Sequence, residues 1–125
     1  MRAVRGEDTA PELAVRKLAH RLGARFRLYR KDLPGTPDLV FASRRLCIFV
    51  NGCFWHRHEG CRLTTTPSSN VAFWLEKFAR NVRRDAEKAE QLRQAGWRVE
   101  TIWQCETRDP VTLEKRLREI LFPGT

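Results

Sequence analysis

Apolar residues recur at helical spacing at both ends of the chain and alternate in between. Leu13, Leu18 and Leu22 fall roughly on one face, so a helix is expected from about residue 10 to 22, with Gly23 as its stop. Thr9-Ala10-Pro11-Glu12 opens it as a capping box, the Thr9 hydroxyl accepting from the Glu12 amide while the Glu12 carboxylate reaches back. Pro11 is tolerated in a first turn, where its missing N–H costs nothing. Phe26 and Leu28 alternate with Arg25, Arg27 and Arg30, the pattern of a half-buried strand. Leu33-Pro34-Gly35-Thr36-Pro37 is a turn cluster. Asp38 to Ala42 reads as a short strand, Ser43-Arg44-Arg45 as a hairpin connection, and Leu46 to Val50 as a buried central strand.

Asn51 to Ser69 breaks the periodicity and collects Gly, His, Cys and Thr, and a loop this long in a compact domain is usually functional or metal-held. Helical spacing resumes from about Val71 to Ala95, with Phe73, Trp74, Leu75 and Phe78 early and Val82, Ala86, Ala89 and Leu92 later. Asn70 is its expected N-cap and Gly96 its stop. Trp97, Val99, Thr101 and Trp103 alternate as a strand, with both tryptophans assigned to the core. Asp109-Pro110 opens a last helix through Leu113, Leu117 and Leu121. The order α-β-β-β-α-β-α, its first three strands an antiparallel unit, predicts an α/β fold: a mixed central sheet with helices on its faces. No repeat or linker divides the 125 residues, so residues 1–125 are expected to form one domain, with 1–8 loosely held.

Charge changes the picture next. Lys and Arg number 24 against 15 Asp and Glu, a net charge of +9 whose positive field suits a polyanion such as nucleic acid. The 42% hydrophobic fraction argues against a disordered basic tail. Leu46 to Val50, the longest apolar run, is too short for a bilayer, and Arg2, Arg5, Glu7 and Asp8 interrupt any secretory segment. The expected compartment is the cytoplasm, with no membrane partner.

A cytosolic setting also disfavours disulfides for the four cysteines. Cys53, His58 and Cys61 crowd one loop and Cys105 lies at a strand end, together the three thiolates and one imidazole of a closed tetrahedral zinc site. Soft sulfur favours zinc over magnesium or calcium. Cys47, inside an apolar strand, reads as a small inert hydrophobe. The alternative is four unrelated thiols beside a loop histidine.

Pro37-Asp38 at a strand entry is the first half of the nuclease signature PD-(D/E)-x-K, although the next strand, Phe49-Val50-Asn51-Gly52, offers neither an acid nor a lysine. The wider pattern supplies context. Met1-Arg2-Ala3-Val4, Thr9-x-x-Glu12, Leu33-Pro34-Gly35-x-Pro37-Asp38, Gly52-Cys53-Phe54-Trp55-His56, Phe73-Trp74-x-x-Lys77, Asn81-x-x-Arg84-Asp85, Gly96-Trp97-x-Val99 and Ile102-Trp103-x-Cys105-Glu106 occur in order. In these segments the chain resembles the very short patch repair (Vsr) mismatch endonucleases, a branch of the restriction-endonuclease-like fold.

The resemblance implies structural zinc at Cys53, His58, Cys61 and Cys105, and catalytic magnesium on Asp38 and the main-chain carbonyl of Val50. It places His56 where the signature lysine is missing, with Glu12 and Asp85 completing the catalytic group. An imidazole can accept a proton at neutral pH, and a hard cation prefers oxygen donors. Asn51 stands where well-known members carry a histidine that partners the aspartate matched by Asp85, and Asn carries no proton. Phe54, Trp55 and Trp74 look like the aromatic wedge that unstacks DNA beside the mismatch, although Trp74 suits core packing equally well. Arg57, Arg62, Lys77, Arg80, Arg83 and Arg84 form a candidate phosphate-holding group.

The expected function is therefore a magnesium-dependent, strand-specific nick 5′ of the thymine in a T:G mismatch in double-stranded DNA. The expected actor is a monomer in the bacterial cytoplasm, assisted by a mismatch-sensing repair protein. The alternatives are a relative serving a restriction-type or other DNA-processing system, and a non-catalytic zinc-stabilised DNA-binding module.

Overall fold

The computed structural model describes residues 9–124; what was expected of residues 1–8, the segment Met1-Arg2-Ala3-Val4 included, lies outside the described residues. Along the chain run α1 (Ala10–Arg21), β1 (Arg27–Leu28), β2 (Leu39–Phe41), β3 (Leu46–Asn51), α2 (Val71–Gln94), β4 (Arg98–Trp103) and α3 (Pro110–Leu121). The strands form one sheet in the order β1-β2-β3-β4. The first two pairings are antiparallel and β3–β4 is parallel, so the sheet is mixed as the element order predicts.

Period-two alternation sorts the apolar residues onto two faces. Leu39, Phe41, Leu46, Ile48, Val50 and Ile102 pack against Val15, Leu18 and Ala19 of α1 and Leu113, Leu117, Ile120 and Leu121 of α3. Val40 and Cys47 face the other way, toward Leu92 of α2 and Trp97, with Leu33, Phe49 and Val99 at the margin. Apolar layers on both faces explain why β2 and β3 read as unbroken hydrophobic runs. Full burial of one such side chain is worth about 1.5–3 kcal/mol. Cys47 is fully buried, and burial pushes its thiol up to about 11, so it is the inert hydrophobe its position suggested.

Several local expectations change. Leu13 is 43% exposed, because five residues of helix rotate it about 140° from Leu18. Val15 and Ala19 take the core-facing positions instead. The Thr9 hydroxyl does accept from the Glu12 amide at 3.4 Å, while the Glu12 carboxylate is turned toward the hydroxyl of Tyr29 and the guanidinium of Arg16. β1 is only two residues long, because Tyr29 takes a left-handed conformation at φ 51°. Leu28 is accordingly exposed, and Phe26, just before the strand, packs on Phe41 with ring centroids 5.6 Å apart.

Asn70 precedes α2 as expected, yet its side chain makes no capping bond and its backbone is left-handed at φ 54°. Asn tolerates that conformation well, and here it turns the chain into the helix. The two β4-region tryptophans diverge. Trp97 is buried beneath the Arg45 guanidinium, 4.4 Å from its ring centroid, while Trp103 is half-buried and stacks on His58. Asp109 caps α3 by accepting from the Val111 amide at 3.3 Å, with Pro110 in the first turn.

Ile48 lies at the centre of β3 with no exposed surface, so Ile48→Ala should cost about 2–5 kcal/mol of stability in urea denaturation, whereas Leu13→Ala should cost less than about 0.5 kcal/mol. Equal losses at the two positions would contradict this placement of the core.

Candidate active site and metal centre

The parallel register of β3 and β4 ends with Asn51 opposite Trp103. Both chains leave the sheet at this edge, and the next thiols, Cys53 and Cys105, stand two residues beyond each end, the latter in a short 3-10 turn over Gln104–Thr107. The loop after β3 folds back to bring in His58 and Cys61, and the donor atoms of all four residues lie within 4.8 Å of one another. His58 Nδ1 is 3.6 Å from Cys53 Sγ and 3.5 Å from Cys105 Sγ. A tetrahedron with Zn–S near 2.3 Å and Zn–N near 2.0 Å has S···N edges of about 3.5 Å, so the donor set fits zinc.

The imidazole is oriented by its stack on Trp103, with centroids 4.2 Å apart and planes at 8°. Backbone bonds fold the loop around the site. The His58 amide donates to the Cys53 carbonyl at 3.0 Å, and the Thr64 hydroxyl donates to the His58 carbonyl at 2.7 Å. The Cys61 thiol is lowered to about 7, first by its backbone hydrogen bond at Leu63. Burial, then the neighbouring thiols, push Cys105 up to about 12. A coordinated metal reverses that penalty, because a ligating thiol is deprotonated outright.

The same edge of the sheet carries the acidic site. Asp38 immediately precedes β2, and antiparallel pairing lays it beside the exit of β3, where the Val50 amide donates to Asp38 Oδ2 at 2.7 Å. Burial pushes the Asp38 carboxyl up to about 7; the Val50 hydrogen bond opposes the shift, nearby Glu12 adds to it, and His56 and Arg16 oppose it. His56 Nδ1 lies 2.6 Å from Asp85 Oδ2 on α2. Asp38, Val50, Asn51, His56, Asp85 and Glu12 all line one cavity of about 420 Å³. Asp85 is thus the partner of His56, and Asn51 lines the same cavity.

The aromatic residues gather beside the metal loop. Phe54 and Trp55 meet edge to face at 4.9 Å, Trp55 lies 5.9 Å from Trp74, and Phe54 and Trp74 both pack on buried Phe78. Phe73, next to Trp74, is 57% exposed. Arg57 leaves the phosphate-holding group. Its guanidinium lies 3.9 Å from the Phe78 centroid and donates to the carbonyls of Phe54 and Thr65 at 3.1 and 2.9 Å, which makes it a strut of this cluster. Of that group Arg84 alone lines the cavity.

Sequence reasoning missed Tyr29 and Lys88, which line the cavity as well. Tyr29 is placed by the β1–β2 register, its amide donating to the Asp38 carbonyl at 3.4 Å, and its hydroxyl donates to Glu12 Oε1 at 2.5 Å. Lys88 stands one helical turn beyond Asp85, so the i, i+3 spacing was the available signal.

A mixed sheet that gathers carboxylates and an imidazole in one cleft, beside a Cys3His knot and on a strongly basic body, has the build of a DNA endonuclease. The family model for the DNA mismatch endonuclease Vsr matches residues 1–62. The type II nicking enzyme V.XorIIP of Xanthomonas oryzae is 55% identical over 124 residues, 99% of this chain and 90% of that one. The DNA mismatch endonuclease Vsr of Escherichia coli is 43% identical over 108 residues, 86% and 69% of the two chains. The type II nicking enzyme V.NmeAIP of Neisseria meningitidis is 34% identical over 121 residues, 97% and 86%. The chain belongs to the Vsr family of DNA endonucleases.

Metal analysis should find one zinc per chain. Cys61→Ser and Cys105→Ser should lose zinc and fold together, since structural zinc contributes roughly 10–16 kcal/mol. Cys47→Ser, remote from the donor cluster, should keep its zinc; loss there with retention in Cys61→Ser would overturn the ligand set.

Proposed function

We propose that this protein makes a magnesium-dependent, strand-specific nick 5′ of the thymine in T:G-mismatched double-stranded DNA, initiating very short patch repair. The observation that carries the reading is the shared cavity of Asp38 and His56, with His56 braced by Asp85 at 2.6 Å.

The donors suit a hard cation. Asp38 and Glu12 offer carboxylate oxygens. In an extended strand the N–H and C=O of one residue point to the same edge, so the Val50 amide on Asp38 supports a Val50 carbonyl aimed the same way. Asp38 is a half-buried carboxylate pushed up to about 7 by burial, the state a bound cation relieves. Magnesium held by Asp38 and the Val50 carbonyl would polarise the phosphoryl group and supply an activated water.

The chain's own groups do the rest. An ionised Asp85 accepts Nδ1–H from His56 and leaves Nε2 as the acceptor, the tautomer a proton-accepting base requires. Asn51 then costs the site no acid–base group, because the Asp85 partnership falls to His56. Tyr29 and Arg16 hold Glu12, which is 2% exposed, against the cavity wall.

Selection of the mismatch is assigned to Phe54, Trp55 and Trp74. Unstacking costs a few kcal/mol per step, and a wobble pair deforms more cheaply than a Watson–Crick pair. Lys77, Arg80 and Arg84 follow one side of α2 from Trp74 toward the cavity, a track for the phosphate backbone. The protein works as a monomer in the bacterial cytoplasm, with a mismatch-sensing repair protein as its partner. A second reading, nicking tied to a restriction system, has its support in the names of the Xanthomonas and Neisseria relatives, both type II nicking enzymes.

A nicking assay on matched T:G and T:A duplexes, with and without magnesium, decides between them. The expected result is magnesium-dependent cutting of T:G alone, and equal cutting of both removes the mismatch claim. Asp38→Asn should lower nicking by about a thousandfold, about 4 kcal/mol, without lowering the melting temperature, because an amide still accepts from the Val50 amide.

A further inference from the structure

We infer that Lys88 of α2 grips a non-bridging oxygen of the scissile phosphate, adding a cation to the site in which His56 stands where the signature lysine is missing. The inference rests on the endonuclease reading and assigns that site one more catalytic residue.

The carboxylates of the cavity already have partners. Glu12 accepts from Tyr29 and Arg16, Asp38 from the Val50 amide, and Asp85 pairs with His56. Lys88 is different. It lines the same cavity and is half-buried, yet none of the ion pairs among the described residues takes it in. A half-buried lysine in a cavity whose carboxylates are engaged elsewhere is charge held ready for an incoming anion. A phosphodiester entering beside Glu12, Asp38 and Asp85 meets like charge, and a cation lining the same cavity, one helical turn from Asp85, offsets it.

The backbone around Lys88 is shaped for this. Gly35, at φ +75°, brings the turn before β2 against the helix so closely that a Cβ there would lie 3.0 Å from Lys88 Cβ and 3.2 Å from Phe49 Cζ. The glycine thus leaves room for the base of the Lys88 side chain beside the turn, and Lys88 lines the cavity there. Two other cations line the cavity, but Arg84, one turn earlier, is exposed and donates to Asn81 Oδ1 at 2.7 Å, and Arg93 is exposed and paired with Glu90 at 3.7 Å. Lys88 is therefore the cation placed at the chemistry, and Arg84 belongs to the track leading to it.

The test compares wild type, Lys88→Gln, Lys88→Arg and the α3 surface control Lys115→Gln. It measures single-turnover nicking of a T:G duplex with magnesium, and the salt dependence of binding to the same duplex without it. Lys88→Gln should nick about a hundredfold more slowly and lose about 0.9 from the slope of log K against log salt, the contribution of one phosphate contact. Lys88→Arg should restore the slope and part of the rate, and Lys115→Gln should match wild type in both. An unchanged rate in Lys88→Gln overturns the inference, and so does a slower rate with an unchanged slope. If wild type itself does not nick any duplex, the endonuclease reading fails, and the slope alone then decides whether Lys88 holds a phosphate.

Discussion

The parallel pairing of β3 with β4 is the constraint on which the site depends. It ends both strands at the same edge, with Asn51 opposite Trp103, and delivers Cys53 and Cys105 to one point from sequence positions far apart. A zinc ion held by this donor set would fasten the loop that carries Phe54, Trp55 and His56 to the core strand. Without that knot the segment from 52 to 70, which has no helix or strand, would be fixed by scattered backbone bonds, the Arg57 contacts, the His56–Asp85 pair and the packing of Phe54 and Trp55 on α2. The metal's contribution of roughly 10–16 kcal/mol is comparable with the whole stability of a small domain, about 5–15 kcal/mol.

The acidic site beside the knot is costly to hold in place. Asp38 and Glu12 are carboxylates brought close together and away from water, an arrangement that opposes folding unless partners or a cation offset it. The fold supplies a backbone amide to one and a tyrosine–arginine pair to the other. Much of α2 is likewise left uncovered: of its 24 residues only Phe78 and Leu92 are buried, and Phe73, Leu75 and Val82 are exposed. A helix that packs so little for its length is a surface laid out for contact, with aromatic rings at its start and cations along its course toward the cavity.

The sequence made most elements readable because they obey local rules. Leu113, Leu117 and Leu121 are buried as their spacing requires, and the apolar run at Leu46 to Val50 is the doubly covered central strand. The Cys3His donors could be named from residue type and order, and Asp38 became a candidate through the family resemblance. The readings that shifted depend on tertiary geometry. Leu13 looked like a core residue only while the helical angle to Leu18 was treated loosely. Trp103 looked like core until the zinc loop brought His58 onto its face. Tyr29 and Lys88 carry no motif of their own; a left-handed turn and a helix face put them in the cavity. The pairing of His56 with Asp85 links a loop to a helix 29 residues away and follows from no local pattern.

X-ray absorption at the zinc edge of the purified protein tests the central claim most directly. The account predicts a shell of three sulfurs at about 2.3 Å and one nitrogen at about 2.0 Å. A shell dominated by oxygen and nitrogen, or a folded protein that binds no zinc, would contradict it.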